Sequence, residues 1–473
     1  MRIALIQPSN PDSIFMPPIG LLYIAAILER EGFDVRVYDE NFDLDCFSKA
    51  IKYDPQIVGF TCVTSTVNRA LKFARELRES NCRARTIFGG PHVTLLGGQV
   101  IKNEAVDFCI VREGEVSALD LCRAVRDGQD HTTIRNLIYK EGKDAIRTEF
   151  APFLDGNQLD SLPYPAYHLL ELEKLFSTVS HGLFTKGARV LPIMTTRGCP
   201  NQCTYCCRIM GYKIRTRTVD SVMKEIDYLR TRFNIDELYF EDDNFTQDRE
   251  RALQILTNIR DNYPGLFIKF ANGLRIDQVD EEILVRIKEA GGYWVGFGIE
   301  SGSNKTLEKM RKHIDLETAR KNIGLAVKLG LKVGSNCIIG YPDETIEDIK
   351  ESLEFFRKLD LDSFAIVNLV PFPGTAVHRT CKEKGYLTKY ADNWDNYSFR
   401  LFNARPLIET PSLSKRELKR YVRIAYIKLY LSSPRRIIYL FQYFSRKLLS
   451  RLKKHSFFFR YLPVRSTSKT GTR

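Results

Sequence analysis

Cys199, Cys203 and Cys206 fall within eight residues at the spacing C-x3-C-x2-C, directly after the apolar stretch that ends at Met194. Thiolate sulfur is the soft ligand that iron clusters require, and three such groups can wrap one face of an iron–sulfur cube. A four-iron cluster takes four ligands. Three cysteines therefore leave one iron open, as a cluster needs if it binds a substrate rather than only carrying electrons. A zinc site would use paired ligands matched by a second distant pair, and neither flank supplies one. Cys207 is one cysteine too many for the spacing and reads as a buried neighbour rather than a ligand.

The elements that must hold these residues are legible in outline. The chain has 473 residues, enough for two or three domains, with 44% hydrophobic and 27% charged residues, as in ordinary soluble proteins. Its start leads straight into a strand rather than a signal peptide, and no apolar run reaches membrane-spanning length. The expected compartment is the cytoplasm, where eleven cysteines point to metal or redox work rather than disulfides. The net charge of +13 is unevenly placed: residues 411–473 hold 17 Lys and Arg against one acid, which leaves −3 for residues 1–410. The body thus gives no compositional argument for nucleic acid.

Residues 1–130 read as a doubly wound α/β domain with strands at 2–7, 34–38, 57–61, 86–89 and 108–111. In such sheets the ligand crevice lies beyond the carboxyl ends of the strands, so the loops at 8–10, 61–66 and 89–94 are expected to line a pocket. Residues 131–186, with Pro152, Pro163 and Pro165 and little periodicity, read as a linker. From 187 to 410, six strands at 189–196, 237–240, 267–271, 293–299, 332–339 and 364–368 alternate with helices of ten to fifteen residues. Six β/α units are fewer than the eight of a closed barrel, which implies a partial (β/α)6 barrel open on one side. Polar residues follow its strands: Cys199, then Glu241, Asp242 and Asp243, then Asn272, then Glu300 and Ser301, with Asn336 late in the fifth strand. The 411–473 tail is basic and helical. Between Arg435 and Lys454 it is amphipathic, and peripheral membrane contact is the leading expectation, ahead of packing on the barrel or RNA contact.

The cysteine motif at the first strand of a six-unit barrel resembles the radical S-adenosylmethionine (SAM) superfamily. The preceding α/β domain, the Leu162–Leu169 connector and the Phe240–Phe245 run resemble its cobalamin-binding branch, which includes class B methylases and the anaerobic magnesium-protoporphyrin ester cyclase. The resemblance implies that Cys199, Cys203 and Cys206 hold a 4Fe–4S cluster whose open iron binds SAM. Once reduced by an external ferredoxin- or flavodoxin-type donor, such a cluster cleaves SAM to a 5′-deoxyadenosyl radical. It also implies that Glu300 and Asn336 meet the SAM ribose, that Arg311 pairs with the SAM carboxylate, and that Asp242 and Asp243 stand near the methionyl end. The cobalamin pocket would be drawn from Pro18 and its neighbours, Thr64, Ser65 and Thr66, the stretch Gly89, Gly90, His92 and Thr94, and Glu113. The D-x-H-x-x-G motif that supplies a histidine to cobalt is missing, so cobalamin is expected to bind without one and His92 reads as a loop residue. The activity implied is methylation of an unactivated carbon in a small-molecule or lipid substrate. A ring-forming or rearranging enzyme, a tRNA methylthiotransferase and a non-catalytic cobalamin or iron–sulfur protein are the alternatives.

Overall fold

The computed structural model describes residues 1–9, 17–80, 82–177, 185–399, 405–438 and 441. In the N-terminal unit β1 (Arg2–Gln7), β2 (Asp34–Asp39), β3 (Ile57–Thr61), β4 (Arg85–Gly89) and β5 (Phe108–Ile110) form a parallel sheet. Helices cover both faces, so β3 is buried along Ile57–Phe60 and reads as a continuous apolar run rather than an alternating one. The strand order 2-1-3-4-5 reverses direction between β1 and β3, where an open crevice must form.

The segment expected to be a linker contributes to this sheet. β6 (Leu137–Glu141) and β7 (Asp144–Arg147) form a hairpin that adds antiparallel to β5, so the sheet runs past residue 130 and has seven strands. Beyond the hairpin the connector fastens the two units together. Ala166 N donates to Leu22 O of the first helix (3.1 Å), and the hydroxyl of fully buried Tyr167 donates to Pro192 O of the first barrel strand (2.8 Å).

That strand, β8 (Val190–Ile193), is followed by the short antiparallel pair β9 (Thr196–Arg197) and β10 (Arg215–Thr216). β11 (Glu237–Phe240), β12 (Phe267–Leu274), β13 (Gly292–Glu300), β14 (Lys332–Ile339) and β15 (Ser363–Asn368) then line up beside β8 in chain order, all parallel. This is the partial barrel that six β/α units imply. Its outer face is packed with helices, while Asn272, Asn336 and Ala365 are exposed in mid-sheet and mark an open lumen.

The edge strand β15 is closed by the terminal helix Lys415–Tyr430, which starts at a capping box of Ser414 and Glu417. Leu418, Val422, Ala425 and Leu429 bury its apolar face against the barrel. Tyr426 Oη bonds both the N–H and the C=O of Ile366 (3.1 Å each), and Tyr430 Oη does the same at Phe364 (3.1 and 2.9 Å). The helix Lys415–Tyr430 therefore packs on the barrel, while Ile437, Ile438 and Phe441 beyond it are exposed. Residues 439, 440 and 442–454 of the amphipathic stretch expected to contact a membrane lie outside the described residues, and no described helix is long and apolar enough to cross a membrane.

Candidate active site

The three cysteines sit on a loop whose neck is the β9–β10 pair, with Arg197 opposite Arg215. Gly198 opens the loop at φ 85°, and a β-carbon there would stand 2.5 Å from Lys213 O and 3.0 Å from Met210 O, so only glycine fits. The loop is then pinned from several sides. Gly198 N donates to Asp243 Oδ2 (3.0 Å), Cys199 N to Gly211 O (3.3 Å) and Thr204 N to Met310 O (3.0 Å). Val377 N donates to Thr204 O (3.0 Å).

Both neck arginines are buried and converge on one carboxylate of the N-terminal unit. Glu113 Oε1 accepts from Arg197 Nη1 (3.0 Å) and Arg215 Nη1 (2.8 Å), and its Oε2 accepts from Arg215 Nη1 (3.0 Å) and Leu154 N (2.8 Å). Arg197 also pairs with Glu115 (2.7 Å). Glu113, expected in the cobalamin pocket, is instead consumed by this network. Its position after a strand end was legible, but two arginines about a hundred residues away decide its use.

All three motif cysteines are free thiols, and Cys206 is exposed. The hydrogen bond with Cys206, aided by the charges of Lys312 and Arg275, draws the Cys203 thiol down to about 5 against the effect of its burial. The same shared hydrogen bond pushes Cys206 up. Thiols in a positive field suit an iron cluster. Among the described residues no three His, Cys, Asp or Glu side chains gather closely enough for a single metal ion. Thiolates that each bind a different iron of a cube stand farther apart than ligands of one ion.

Around the loop, Glu300 is buried at the end of β13 with φ 74°. Its Oε1 lies 3.6 Å from Lys312 Nζ, which in turn donates to Tyr205 Oη (3.3 Å). Burial raises the Glu300 carboxyl above its ordinary range, and Lys312 opposes that rise. A β-carbon at Gly298 would stand 2.8 Å from Glu300 Oε1, so that glycine makes room for the carboxylate. Lys312 and Tyr205 were not singled out in the sequence; Lys312 is only one residue past Arg311. Arg311 itself is the exposed left-handed cap of the helix Asn304–Met310 (φ 50°), beside the cysteine loop through the Thr204–Met310 bond. Asn336 is exposed in the lumen on β14, one residue before Cys337, the register partner of Glu300.

Asp242 and Asp243 divide their work. Asp242 Oδ1 accepts from both Thr195 N and Thr195 Oγ1 (2.9 Å each), and burial raises its carboxyl. Asp243, expected near methionine, braces Gly198. Next to them, burial lifts the Glu241 carboxyl to about 8. Glu241 Oε1 is buried without a protein partner among the described residues, whereas the Thr196 hydroxyl lies beside the Asp242 carboxylate. Buried polar atoms are ordinarily satisfied, so the orphan oxygen of Glu241 at a strand end fits a ligand site.

In the N-terminal unit, Pro18 precedes the helix Ile19–Arg30. Thr64 and Ser65 are buried beyond β3, and Gly89 ends β4. A β-carbon at Gly90 (φ 93°) would strike Cys62 N at 2.8 Å. Thr94 departs from the pocket expectation: its hydroxyl accepts from Arg112 N (2.9 Å) and donates to Gly90 O (3.1 Å), so it serves the turn. His92 begins a helix rather than lying in a loop. It is buried, with Nδ1 3.3 Å from Thr64 Oγ1 and its ring edge-on to Trp394 at 5.2 Å. Phe15 and Met16 lie outside the described residues. Ser9 and Ser65, at the β1/β3 reversal, face Asn368 at the end of β15 across a cavity of about 920 Å³. This is the size class of a large organic ligand, and His92 is not among the residues that line the cavity.

Burial pushes the His92 imidazole down to about 4. A folded-state value below the unfolded one means that the unfolded chain takes up the proton first as pH falls. Stability is therefore expected to drop by on the order of 2–3 kcal/mol from this group between pH 6.5 and 4, and to level off below. Urea unfolding across that range checks this: His92→Gln should lose that much less than the wild type.

Comparison with known proteins agrees with this geometry. The family model described as "Radical SAM superfamily" matches residues 193–356, and that described as "B12 binding domain" matches residues 14–121. The chain is 30% identical over 444 residues to an uncharacterized methyltransferase of Pyrococcus horikoshii, covering 91% of this chain and 93% of that protein. It is 27% identical to the cytidylyl-2-hydroxyethylphosphonate methyltransferase of Streptomyces wedmorensis, over 84% of this chain and 82% of the relative. Its fold is similar to that of the radical SAM methyltransferase TsrM from Kitasatospora setae, solved with cobalamin and a [4Fe–4S] cluster (TM-score 0.72, 19% identity, 92% and 91% of the two chains). The chain belongs to the cobalamin-binding branch of the radical SAM superfamily. The cofactors that go with its two domains are a 4Fe–4S cluster, SAM and cobalamin.

Proposed function

We propose that this enzyme is a radical SAM methylase acting on an unactivated carbon of a small-molecule substrate. The observation that carries the reading is the Glu113 bridge. It ties the neck of the cysteine loop to the cobalamin-type domain, and the same two units border the cavity between Ser9 and Ser65 on one side and the end of β15 on the other. When bound, the cluster with SAM supplies a hydrogen-abstracting radical, and cobalamin supplies the methyl group.

The chain's own residues bind and orient. Cys199, Cys203 and Cys206 would hold the cluster, and Arg275 and Lys312 would offset the thiolate charge. Glu300 and Asn336 lie on adjacent strands, where they accept from and donate to ribose hydroxyls. Arg311 would offer the fork for the SAM carboxylate, and Glu241 would supply an unsatisfied oxygen for its ammonium end. Pro18, Ser65, Gly89 and Gly90 take the corrinoid side. The electron comes from a ferredoxin- or flavodoxin-type donor. The methyltransferase relatives from Pyrococcus and Streptomyces favour methylation over ring formation.

The test is anaerobic reconstitution with iron, sulfide and hydroxocobalamin. About four irons and one cobalt per chain are expected, with 5′-deoxyadenosine formed from SAM under reduction. A chain that binds iron but no cobalt would remove methyl transfer through cobalamin, and one that forms no 5′-deoxyadenosine would remove the radical reading.

A further inference from the structure

The cavity between the two units carries more positive charge than its expected cofactors use. Arg69, Lys72, Arg405, Lys419 and Arg423 line it, against the single acid Asp395. Two of the five are already answered: Arg69 is held by Glu40, and Lys72 lies 3.6 Å from Glu76. Among the described residues Arg405, Lys419 and Arg423 have no carboxylate partner. Arg405 only stacks over Tyr390 at 5.3 Å. Lys419 and Arg423 are four residues apart on the terminal helix and so share one face of it. Val422, one residue before Arg423, is buried, and all three residues line the cavity.

Three unanswered cations around one open cavity repel each other, and that repulsion is strongest at low salt. A multiply charged anion reverses the sign of every one of these interactions. A corrinoid brings one phosphodiester charge, too few for three cations, and the SAM carboxylate belongs to the cysteine side. Guanidinium and ammonium donors spread over two walls suit the several oxygens of a phosphorus oxyanion better than the two of a single carboxylate.

We infer that Arg405, Lys419 and Arg423 form the anion subsite for a substrate bearing a phosphate-, phosphonate- or pyrophosphate-type group, which anchors it at the β15 end of the cavity. The inference rests on the methylase reading above and names its substrate class.

The probe is inorganic pyrophosphate, titrated calorimetrically into the full chain at low salt, once with and once without bound cobalamin. Saturable binding is expected in both, weakening as salt rises, and about tenfold or more weaker in the Lys419→Ala/Arg423→Ala double variant. Both side chains are exposed, so circular dichroism should stay unchanged, and Lys419→Arg/Arg423→Lys should retain binding. Equal affinity in the wild type and the alanine double variant, or no binding to either, overturns the inference. Loss of pyrophosphate binding on loading with cobalamin also overturns it, because the cations then belong to the corrinoid. So does binding of phosphatidylglycerol vesicles without pyrophosphate binding, which would assign the charge to a membrane surface. The titration of the cobalamin-free chain stays readable if cobalt never binds, so failure of the methylase reading and failure of this one are told apart.

Discussion

A Cys203→Ala protein should reconstitute without its 4Fe–4S centre and form no 5′-deoxyadenosine above background. Cys203 is the most buried of the three motif cysteines, and the charges of Lys312 and Arg275 favour its thiolate. Removing it takes away one of three iron ligands in a loop that has no spare at the right place. Cys207 is not expected to substitute, because it stands one residue beyond the C-x3-C-x2-C spacing. Iron per chain and the charge-transfer absorbance of the cluster should fall together with product. A Cys207→Ala protein should keep all three. Product formation by Cys203→Ala at the wild-type level would sink the ligand assignment.

The second large effect is on stability and cluster retention together. Glu113→Ala should leave Arg215 buried with only carbonyl acceptors and Arg197 with Glu115 alone. Breaking a buried ion network on one side costs about 3–5 kcal/mol, because the remaining charges stay desolvated. The urea midpoint should drop accordingly. The neck of the cysteine loop should also loosen, so that cluster iron is lost to a chelator faster than in the wild type. Glu113→Gln keeps the acceptor oxygen without the charge and should fall between the two. A Glu113→Ala chain with wild-type midpoint and iron retention would show that the bridge neither stabilises the fold nor braces the loop.

The barrel strands and the cysteine loop were legible because their signals are local: apolar runs of strand length, helical spacing between them, and one dense motif. The β6–β7 hairpin was not, because Lys140, Glu141 and Asp144 at an exposed sheet edge hide the alternation that marks a strand. The connector looked structureless for a related reason. Its order comes from tertiary bonds at Ala166 and Tyr167 rather than from any period. In the site, Lys312 was missed beside Arg311 because a left-handed cap at Arg311 turns the chain, and spacing does not report which of two adjacent cations then faces Glu300. Thr94 and Glu113 had the right loop and the wrong partners. Loop membership follows from the strand pattern, but what a side chain bonds to is set by residues far along the chain.

The two tyrosines on the terminal helix have a consequence for anyone trimming this protein. An open barrel ends in a strand whose outward N–H and C=O groups would recruit another chain. Here Tyr426 and Tyr430 occupy four of them with hydroxyls, which accept and donate without offering a new row of backbone groups. A shortened version ending before Ser414 would keep every cysteine and every strand, yet expose a sticky margin able to add strands from its own copies. The helix that looks like an appendage in the sequence works as the selvedge of the sheet, the woven border that keeps cloth from ravelling into its neighbour.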